Sequence, residues 1–433
     1  MKKTILLQKA TRIEGNADIQ IEIEDGRITT ARFRVQDFRG LERFLCGRRV
    51  EFIPQMVSRI CGLCSASHQI ASLRAIEAAV GARVPSSVEA LREILLFGEW
   101  IGSHALSYFF LTMPDLMESG EGLLQMAQSH PGIAADAMAL RRAGLRIVEI
   151  IGGRAVHPVT LGIARFIVPT QPGQLDEVRQ LAEECLRLAA KLLDQIDLLQ
   201  LRPHPIPFPR DQQLNFLTVE GLGPTARLRA CGRDARVIED FPAEELEDHI
   251  SEMRADWSFA KFPYLKRFGF PGGITLVGPL ARLFRGDSLL DDPSIAALPL
   301  ARGLLDRTAL GLEQYDTCRF LEIIWAAKRI RSLLEEVDLA NIEGEVNPAL
   351  SGKGIGVVEA PRGLLVHSYL INRGCLERMR LLVATQFNNP FMNLMIRELA
   401  GSSVNGDKLT PEGERSIGRC IRLFDPCLSC ATH

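Results

Sequence analysis

Apolar residues recur every three or four positions through most of the chain, the spacing with which an α-helix buries one face. This pattern predicts long helices over residues 65–81, 86–113, 131–151, 173–200 and 296–338, and a last helix at about 410–421. The predicted class is α+β, predominantly α-helical, with a bundle of long helices as its core.

Alternating patterns mark both ends of the chain. Residues 4–38 alternate apolar and polar positions around Asp25-Gly26, a hairpin signal, and residues 352–389 are read as strands around the loop at 359–363. Prolines at 203, 205, 207 and 209 mark the start of a region that is richer in glycine and in acidic residues. We therefore expect one integrated unit made of a β-rich segment (1–53), a first helical part (54–200), an inserted β/loop region (201–295), a second helical part (296–340) and a β-rich segment with a tail (341–433).

The composition excludes several classes of protein. A net charge of −2 with 24% charged residues argues against a nucleic-acid surface, and no uninterrupted apolar run is long enough for a membrane span. The start, MKKTILLQKATRIEG, has too short an apolar stretch for a signal peptide. Ten scattered cysteines indicate a reducing compartment, so we predict a cytoplasmic protein.

Four cysteines form two C-x-x-C pairs at opposite ends of the chain. Cys61 and Cys64 precede a helix that carries His68, and Cys427 and Cys430 precede a terminal His433. Two intervening residues let both sulfurs reach one metal, and a helix start favours thiolate over thiol. A zinc ribbon places its pairs about 15–20 residues apart, so here only tertiary folding can join them. Zinc, an iron–sulfur cluster and a softer transition-metal centre all fit four thiolates.

The surrounding residues identify a family resemblance. The motifs R-I-C-G-L-C-S-A-S-H and D-P-C-L-S-C-A-T-H resemble the hallmark pair of the large subunit of nickel–iron hydrogenases. The resemblance extends to T-R-I-E-G, R-G-L-E, S-H-A-L with P-D, G-G-R-A-V-H-P, E-A-P-R-G-L-L and a weaker V-A-T-Q-F-N, in this order along nearly the whole chain.

The resemblance implies a nickel–iron centre where the two ends of the chain meet. Cys61 and Cys427 would be terminal nickel thiolates, and Cys64 and Cys430 would bridge nickel to iron. In this family the iron carries carbon monoxide and two cyanides, whose pocket would be lined by Pro361, Arg362, Ala384 and Thr385.

The resemblance also implies a magnesium site and a proton route. Glu42, the backbone carbonyl of Leu381 and His433 would bind Mg²⁺. A terminal thiolate, Cys427 in preference to the Arg362 guanidine, would take the proton from H2 and pass it to Glu14, because guanidinium is normally always protonated. Arg59 and His68 are expected to support the site from outside it.

Two positions depart from the family pattern. Many members carry an aspartate where this chain has Ser103, and Ala384 replaces a common proline. The first change removes a carboxylate from above the metals, which leaves the role of Ser103 open.

The resemblance is strongest to cytoplasmic, bidirectional, NAD(P)-linked hydrogenases. The chain has no glycine-rich nucleotide motif after a strand, so NAD(P) would bind a separate subunit. Expected partners are an obligate small iron–sulfur subunit, flavin/iron–sulfur diaphorase subunits, maturation proteins and, for a precursor that extends past His433, a C-terminal protease. No nucleic acid is expected as a partner.

Two alternatives stay open on the sequence, and the four thiolates argue against a third. One is a hydrogen-sensing regulatory hydrogenase built on the same site. Another is a non-catalytic four-cysteine zinc or redox scaffold. The third, the quinone-pocket subunit of respiratory complex I, shares this ancestry but lacks the four thiolates.

Overall fold

The computed structural model describes residues 2–7, 11–117, 123–199, 201, 205–209, 212–286, 288–347, 350–406 and 408–433. Residues 8–10, 200 and 203, which fall within predicted segments, lie outside these ranges.

Helices dominate the described part of the chain, as predicted. They are α1 (Leu41–Phe44), α2 (Ile53–Val57), α3 (Ser65–Val80), α4 (Ser86–Ala105), α5 (Met113–Leu116), α6 (Leu123–Ser129), α7 (Pro131–Gly152), α8 (Pro172–Leu198), α9 (Leu246–His249), α10 (Pro293–Ala296), α11 (Gln314–Leu334), α12 (Ala384–Gly401), α13 (Pro411–Phe424) and α14 (Leu428–Ala431).

The strands form several small sheets. They are β1 (Lys2–Leu7), β2 (Ala17–Glu24), β3 (Arg27–Val35), β4 (Leu161–Gly162), β5 (Arg165–Phe166), β6 (Asn215–Glu220), β7 (Arg227–Cys231), β8 (Val237–Pro242), β9 (Ile250–Ala255), β10 (Ser258–Leu265), β11 (Thr275–Leu276), β12 (Gly352–Ala360), β13 (Gly363–Asn372), β14 (Cys375–Leu382), β15 (Val404–Asn405) and β16 (Lys408–Leu409). The larger sheets run β1-β2-β3, β11-β6-β7-β8 and β12-β13-β14, and the predicted hairpin at Asp25-Gly26 joins β2 to β3. The α+β class with a helical core is confirmed.

The helical core is built around α4, which packs against α7 and α11, while α7 also packs against α8. Helix α4 continues through a π-helical segment, Leu106–Thr112, into α5. Among the described residues, the resulting Ser86–Leu116 helix has the length and apolar character of a membrane span, but 89% of its most apolar window is buried inside the fold. Such burial is typical of a core helix.

Three alternate glycines seat the cysteine-bearing helix α3 on β12. A Cβ at Gly352, Gly354 or Gly356 would lie 2.0–2.1 Å from carbonyl oxygens of α3, namely those of Ala79, Ala75 and Ala71. Alternate strand residues face the same side, so the stripe forms one flat face. Any larger residue there would push α3, and with it Cys64, away from the sheet.

Two predicted segments were wrong. The helix predicted over 296–338 covers only Gln314–Leu334, and short 3-10 turns precede it at Pro299–Leu304 and Arg307–Ala309. In the second turn the Asp306 side chain accepts from Thr308 N, a local bond that competes with helix. The strands predicted up to 389 end at Leu382, because Gln386 Oε1 accepts from Val383 N at 3.0 Å and helps to start α12.

The two ends of the chain meet beside α3. Glu14 and Cys427 form an isolated parallel β-bridge, with Leu428 N donating to Glu14 O at 3.2 Å. Arg39 N donates to Thr432 O at 2.6 Å. The second C-x-x-C pair is thereby held against the N-terminal part of the chain.

Candidate metal centre

The four motif cysteines converge in the interior. Cys61 Sγ lies 3.2 Å from Cys427 Sγ, Cys64 Sγ lies 3.1 Å from Cys430 Sγ, and the Sγ atoms of Cys427 and Cys430 are 3.0 Å apart. All four ligand atoms lie within 4.8 Å of one another, and all four residues are buried. Within the described part of the chain, it is the only such group of cysteine, histidine or acid side chains.

The charges on the four cysteine sulfurs favour the binding of a cation. Hydrogen bonds from Cys427 and the other cysteines lower the pKa of Cys61 well below its usual value, whereas burial and the neighbouring cysteines raise the pKa of Cys430 well above it. Without a metal, the cluster therefore favours a mixture of thiol and thiolate. Four thiolates this close together are stable only around a positive charge, so the donor set fits a soft metal centre.

Helix α3 begins without a capping bond from the Cys64 sulfur, which therefore stays available as a metal ligand. Cys64 is the N-cap residue and makes no side-chain capping bond. Glu99, from α4, caps the helix in its place by accepting from Ala66 N at 2.8 Å and Ser67 N at 3.1 Å. Burial raises the pKa of Glu99 to about 7.

Glu14 lies directly beside the second cysteine pair. Its Oε2 is 3.2 Å from Cys427 Sγ and accepts from Ser429 N at 2.9 Å, while the Ser429 hydroxyl donates to Oε1. Glu14 is half-buried, unlike the cysteines. Its carboxylate therefore has the sulfur on one side and access towards the surface on the other.

Arg362 lies on the loop between β12 and β13, held by Asp425. Its Nε donates to Asp425 O at 2.9 Å, its Nη2 pairs with the Asp425 carboxylate at 3.1 Å, and its Nη1 lies 3.4 Å from Ser103 Oγ. Burial alone would lower the pKa of Arg362, but Asp425 and the cysteines outweigh it and raise that pKa well above its usual range. The guanidinium thus stays charged.

A small cavity adjoins the sulfurs. Its lining includes Arg362, Ala384 and Thr385 together with Cys64, Cys427 and Cys430. Thr385 Oγ1 accepts from Cys427 N at 2.9 Å, which leaves its hydroxyl proton free for another acceptor. Pro361 lies next to Arg362 and is not among the lining residues; its carbonyl accepts from Arg282 Nη2 at 3.1 Å.

Glu42, Leu381 and His433 come together beside the Cys430 backbone. His433 Nε2 lies 3.0 Å from Leu381 O and 3.6 Å from Glu42 Oε1. Neighbouring ligands of an octahedral ion with bonds of about 2.1 Å lie about 3 Å apart. Burial lowers the pKa of His433, and its Nδ1 lies 2.6 Å from Cys430 O, so that Nδ1 carries the proton. His433 Nε2 then faces the Leu381 carbonyl oxygen as a second acceptor, beside the Glu42 carboxylate that accepts from Leu381 N at 2.8 Å, and this set of acceptors fits a cation.

Sequence reasoning missed several residues around the centre. Ser429 donates to Glu14, and Glu99 caps the start of α3. Lys261 Nζ lies 3.1 Å from Glu42 Oε2, and Asp425 pairs with Arg362. Ser429 and Asp425 lie within the C-terminal motif and could have been singled out. Glu99 has no local signal. Of the two expected supports, His68 Nε2 lies 3.4 Å from Cys430 Sγ, whereas Arg59 is exposed.

Comparison with known proteins identifies relatives over the whole length. The family model described as nickel-dependent hydrogenase matches residues 39–130 and 255–433. The chain is 31% identical to one subunit of the F420-non-reducing hydrogenase of Methanothermobacter marburgensis, over 99% of this chain and 94% of the relative. It is 30% identical to the NAD-reducing hydrogenase HoxS subunit beta of Cupriavidus necator, over 100% of this chain and 95% of the relative.

A solved structure gives the same result. The fold superposes on that of an NAD+-reducing [NiFe]-hydrogenase in the H2-reduced state with a TM-score of 0.85 and 27% identity, covering 100% of this chain and 99% of the other.

Proposed function

Because the chain belongs to the nickel-dependent hydrogenase family, and is therefore an oxidoreductase acting on H2, we propose that its four buried cysteines hold the nickel–iron centre at which H2 is split. The observation that carries this assignment is the convergence of two C-x-x-C pairs from opposite ends of the chain. When bound, the centre would supply the electrophile that polarises H2 and would accept its electrons.

Cys427 is the proposed proton acceptor. A thiolate has a free lone pair, whereas the Arg362 guanidinium is held protonated by Asp425 and has none to offer. From Cys427 Sγ the proton passes to Glu14 Oε2, 3.2 Å away. Ser429 orients that carboxylate through its amide and its hydroxyl. Glu14 then releases the proton towards the surface.

Arg362 is the proposed electrostatic support. Asp425 fixes the guanidinium in a cavity that it shares with three of the four cysteines. Arg362, Ala384 and Thr385 would surround carbon monoxide and cyanide on iron, with Pro361 shaping the loop and the Thr385 hydroxyl donating to a cyanide nitrogen. The free hydroxyl proton of Thr385 supports this assignment.

Magnesium is the proposed ion at Glu42, Leu381 and His433. Carboxylate and carbonyl oxygens suit this hard cation, and waters would complete its octahedron. Through His433, which contacts Cys430 O, the ion would stabilise the C-terminal segment that carries two metal ligands.

A small iron–sulfur protein is the proposed partner, because no further cysteines at cluster spacing remain in this chain. An exposed aromatic patch near the metal motif supports this proposal. Phe38 and Phe259 stack with ring centroids 5.8 Å apart and are 64% and 58% exposed. The adjacent Arg39 donates to Ile60 O, one residue before Cys61. Large apolar side chains exposed together are typical of an interface.

Transfer of electrons to NAD(P) through diaphorase subunits, and a cytoplasmic location, belong to the same proposal. The Cupriavidus relative is named for NAD reduction, whereas the Methanothermobacter relative of similar identity is not. Reduction of NAD or NADP by H2, measured on the complex purified from its host, decides between these acceptors. We also propose that the five segments work as one unit, since one apolar cluster joins residues from Leu45 to Ala431 and a second joins the inserted region to both ends of the chain, from Ala17 to Leu428.

The direct test is metal analysis and infrared spectroscopy of the purified complex. We expect one nickel per chain, more iron than nickel because the partner would carry iron–sulfur clusters, H2-dependent reduction of a viologen dye, and infrared bands of metal-bound CO and cyanide. Zinc alone would contradict the proposal and favour a scaffold. Nickel and iron without those infrared bands would contradict the diatomic ligands, and very slow turnover would favour a hydrogen sensor.

A further inference from the structure

Arg282 is a buried arginine, 3% exposed, that plays no part in the proton route above. Its Nε and Nη2 donate to the two carboxylate oxygens of Glu322 at 2.6 and 2.7 Å, and its Nη1 donates to Glu359 Oε2 at 2.9 Å. The two remaining N–H groups donate to the backbone carbonyls of Ala360 and Pro361, each at 3.1 Å. Every N–H group of the guanidinium thus has an acceptor, and the side chain has one defined orientation.

The two carbonyls belong to the residues immediately before Arg362. Pro361 and Arg362 are the whole of the loop between β12 and β13. Trp100 Nε1 donates to the carbonyl one residue further back, that of Glu359, at 3.0 Å. Donors from elsewhere in the fold therefore hold the carbonyls of three successive residues before Arg362. A short loop that is held in this way leaves its next residue little freedom to move.

The segment that carries Arg282 also packs on the backbone of this loop. A Cβ at Gly278 would lie 2.6 Å from Arg362 O, and a Cβ at Gly363 would lie 2.5 Å from Gly278 N. Arg282 N donates to Gly278 O at 3.0 Å, so one turn of chain presents both the close backbone and the arginine. This turn lies within the predicted insertion 201–295, which therefore contributes to the metal site.

The charge of Arg282 is neutralised by its partner. Burial alone would raise the pKa of Glu322, but Arg282 outweighs burial and lowers that pKa to about 2. Glu322 is thus a carboxylate, and a buried ion pair with both members fully hydrogen-bonded is a stable arrangement. The guanidinium also stacks over the Trp100 ring, with its Cζ 4.1 Å from the ring centroid. Because the pair adds little net charge, its influence on the metal centre is geometric.

We propose that Arg282 is a positioning residue for Arg362: it fixes the two preceding carbonyls and thereby places the Arg362 guanidinium beside the metal centre. Asp425 holds that guanidinium through its nitrogens, whereas Arg282 holds the backbone from which the side chain extends. The inference rests on the proposed function, since it takes Arg362 to line the pocket of the diatomic ligands.

Arg282→Lys tests the inference, because lysine keeps the charge but has one nitrogen in place of three. Its ammonium can pair with Glu322 but cannot also hold both carbonyls. In the purified complex, we expect the infrared bands of metal-bound CO and cyanide to shift or broaden, because the loop no longer holds Arg362 in one position. H2-dependent viologen reduction per nickel should fall by about 10–100-fold, since misplacement of a group by about 1 Å can cost 100-fold.

Arg92→Lys is the matched control. Arg92 is 0% exposed, pairs with both oxygens of Glu77 at 2.6 and 2.9 Å, and donates to a backbone carbonyl at 3.1 Å. Ser103, the α4 residue that contacts Arg362, lies about 16 Å further along the helix. The two substitutions therefore remove similar bonds and should cost similar stability. Only Arg282→Lys should change the infrared bands and the rate per nickel.

Bands and rates in Arg282→Lys that match those in Arg92→Lys would overturn the inference. Glu322→Gln is the second variant and keeps the test decisive if Arg282→Lys does not fold. It leaves the guanidinium charged but removes one of its acceptor oxygens, so it should change the same bands by less, and unchanged bands would contradict the inference. Complete absence of the bands from the unmodified complex would instead refute the diatomic ligands of the proposed function.

Discussion

Replacing Glu14 by glutamine should separate proton transfer from the rest of the site. Glu14→Gln keeps the size and shape of the side chain but removes the group that can accept a proton from Cys427, whose Sγ lies 3.2 Å from Oε2. Both contacts to Ser429 can survive, because an amide oxygen still accepts from Ser429 N and an amide NH2 can donate to the Ser429 hydroxyl. The substitution is therefore close to isosteric.

The size of the effect follows from the group that is lost. A positioned general base contributes roughly 10²–10⁴-fold to a rate, about 3–5 kcal/mol of barrier. Folding should change much less, by about 1 kcal/mol, because only the charge assistance of two hydrogen bonds disappears. We therefore expect a large loss of turnover in a folded protein with its normal nickel content.

The assays are H2-dependent viologen reduction and isotope exchange between D2 and water, each expressed per nickel. Both rates should fall by at least about 100-fold, the lower limit for removal of a general base. Glu24→Gln provides the control, because Glu24 is an exposed acid at the end of β2. A Glu14→Gln enzyme that consumed hydrogen at the unmodified rate would refute the relay.

Three further outcomes are expected. Arg362→Lys keeps the charge but cannot make the paired contacts to Asp425, so hydrogen uptake per nickel should fall by about 10–100-fold; an unchanged rate would contradict its assigned role. Arg92→Met leaves the buried carboxylate of Glu77 without its arginine and leaves Glu89 with Arg74 alone, and it should lower the free energy of unfolding in urea by about 3–5 kcal/mol. Burial would raise the pKa of Glu89, but the two arginines beside it outweigh burial and lower that pKa from 4.5 to about 2, so its stabilisation is complete above about pH 4.5 and is lost as the pH falls towards 2. Urea unfolding between pH 6 and about pH 3 should show this loss, and Glu89→Gln should flatten it; equal slopes would contradict the pairing.

The sequence predicts the metal ligands better than their surroundings. Each C-x-x-C pair is a local signal, and the position of the first pair before a helix and of the second pair after one could be read from the pattern of apolar residues. The start of α12 was missed because residues up to 389 were read as strands, whereas Asn388 lies inside the helix, is buried and donates to Val277 O at 3.3 Å. Contacts such as that between His68 and His367 depend on how α3 lies on its sheet. No local spacing records that packing.

The geometry of the centre depends on two independent attachments. The first cysteine pair is fixed by α3, which lies on the glycine face of β12 and is capped by Glu99. The second pair is fixed by the β-bridge between Glu14 and Cys427 and by the contacts of His433. The sulfurs can therefore keep a fixed mutual distance only while both attachments hold. Because interiors are close-packed, a shift of α3 is passed to Cys64 rather than absorbed. A larger side chain at Gly356, far from Cys427 in sequence, should thus damage metal binding as severely as a change at the C-terminal segment itself.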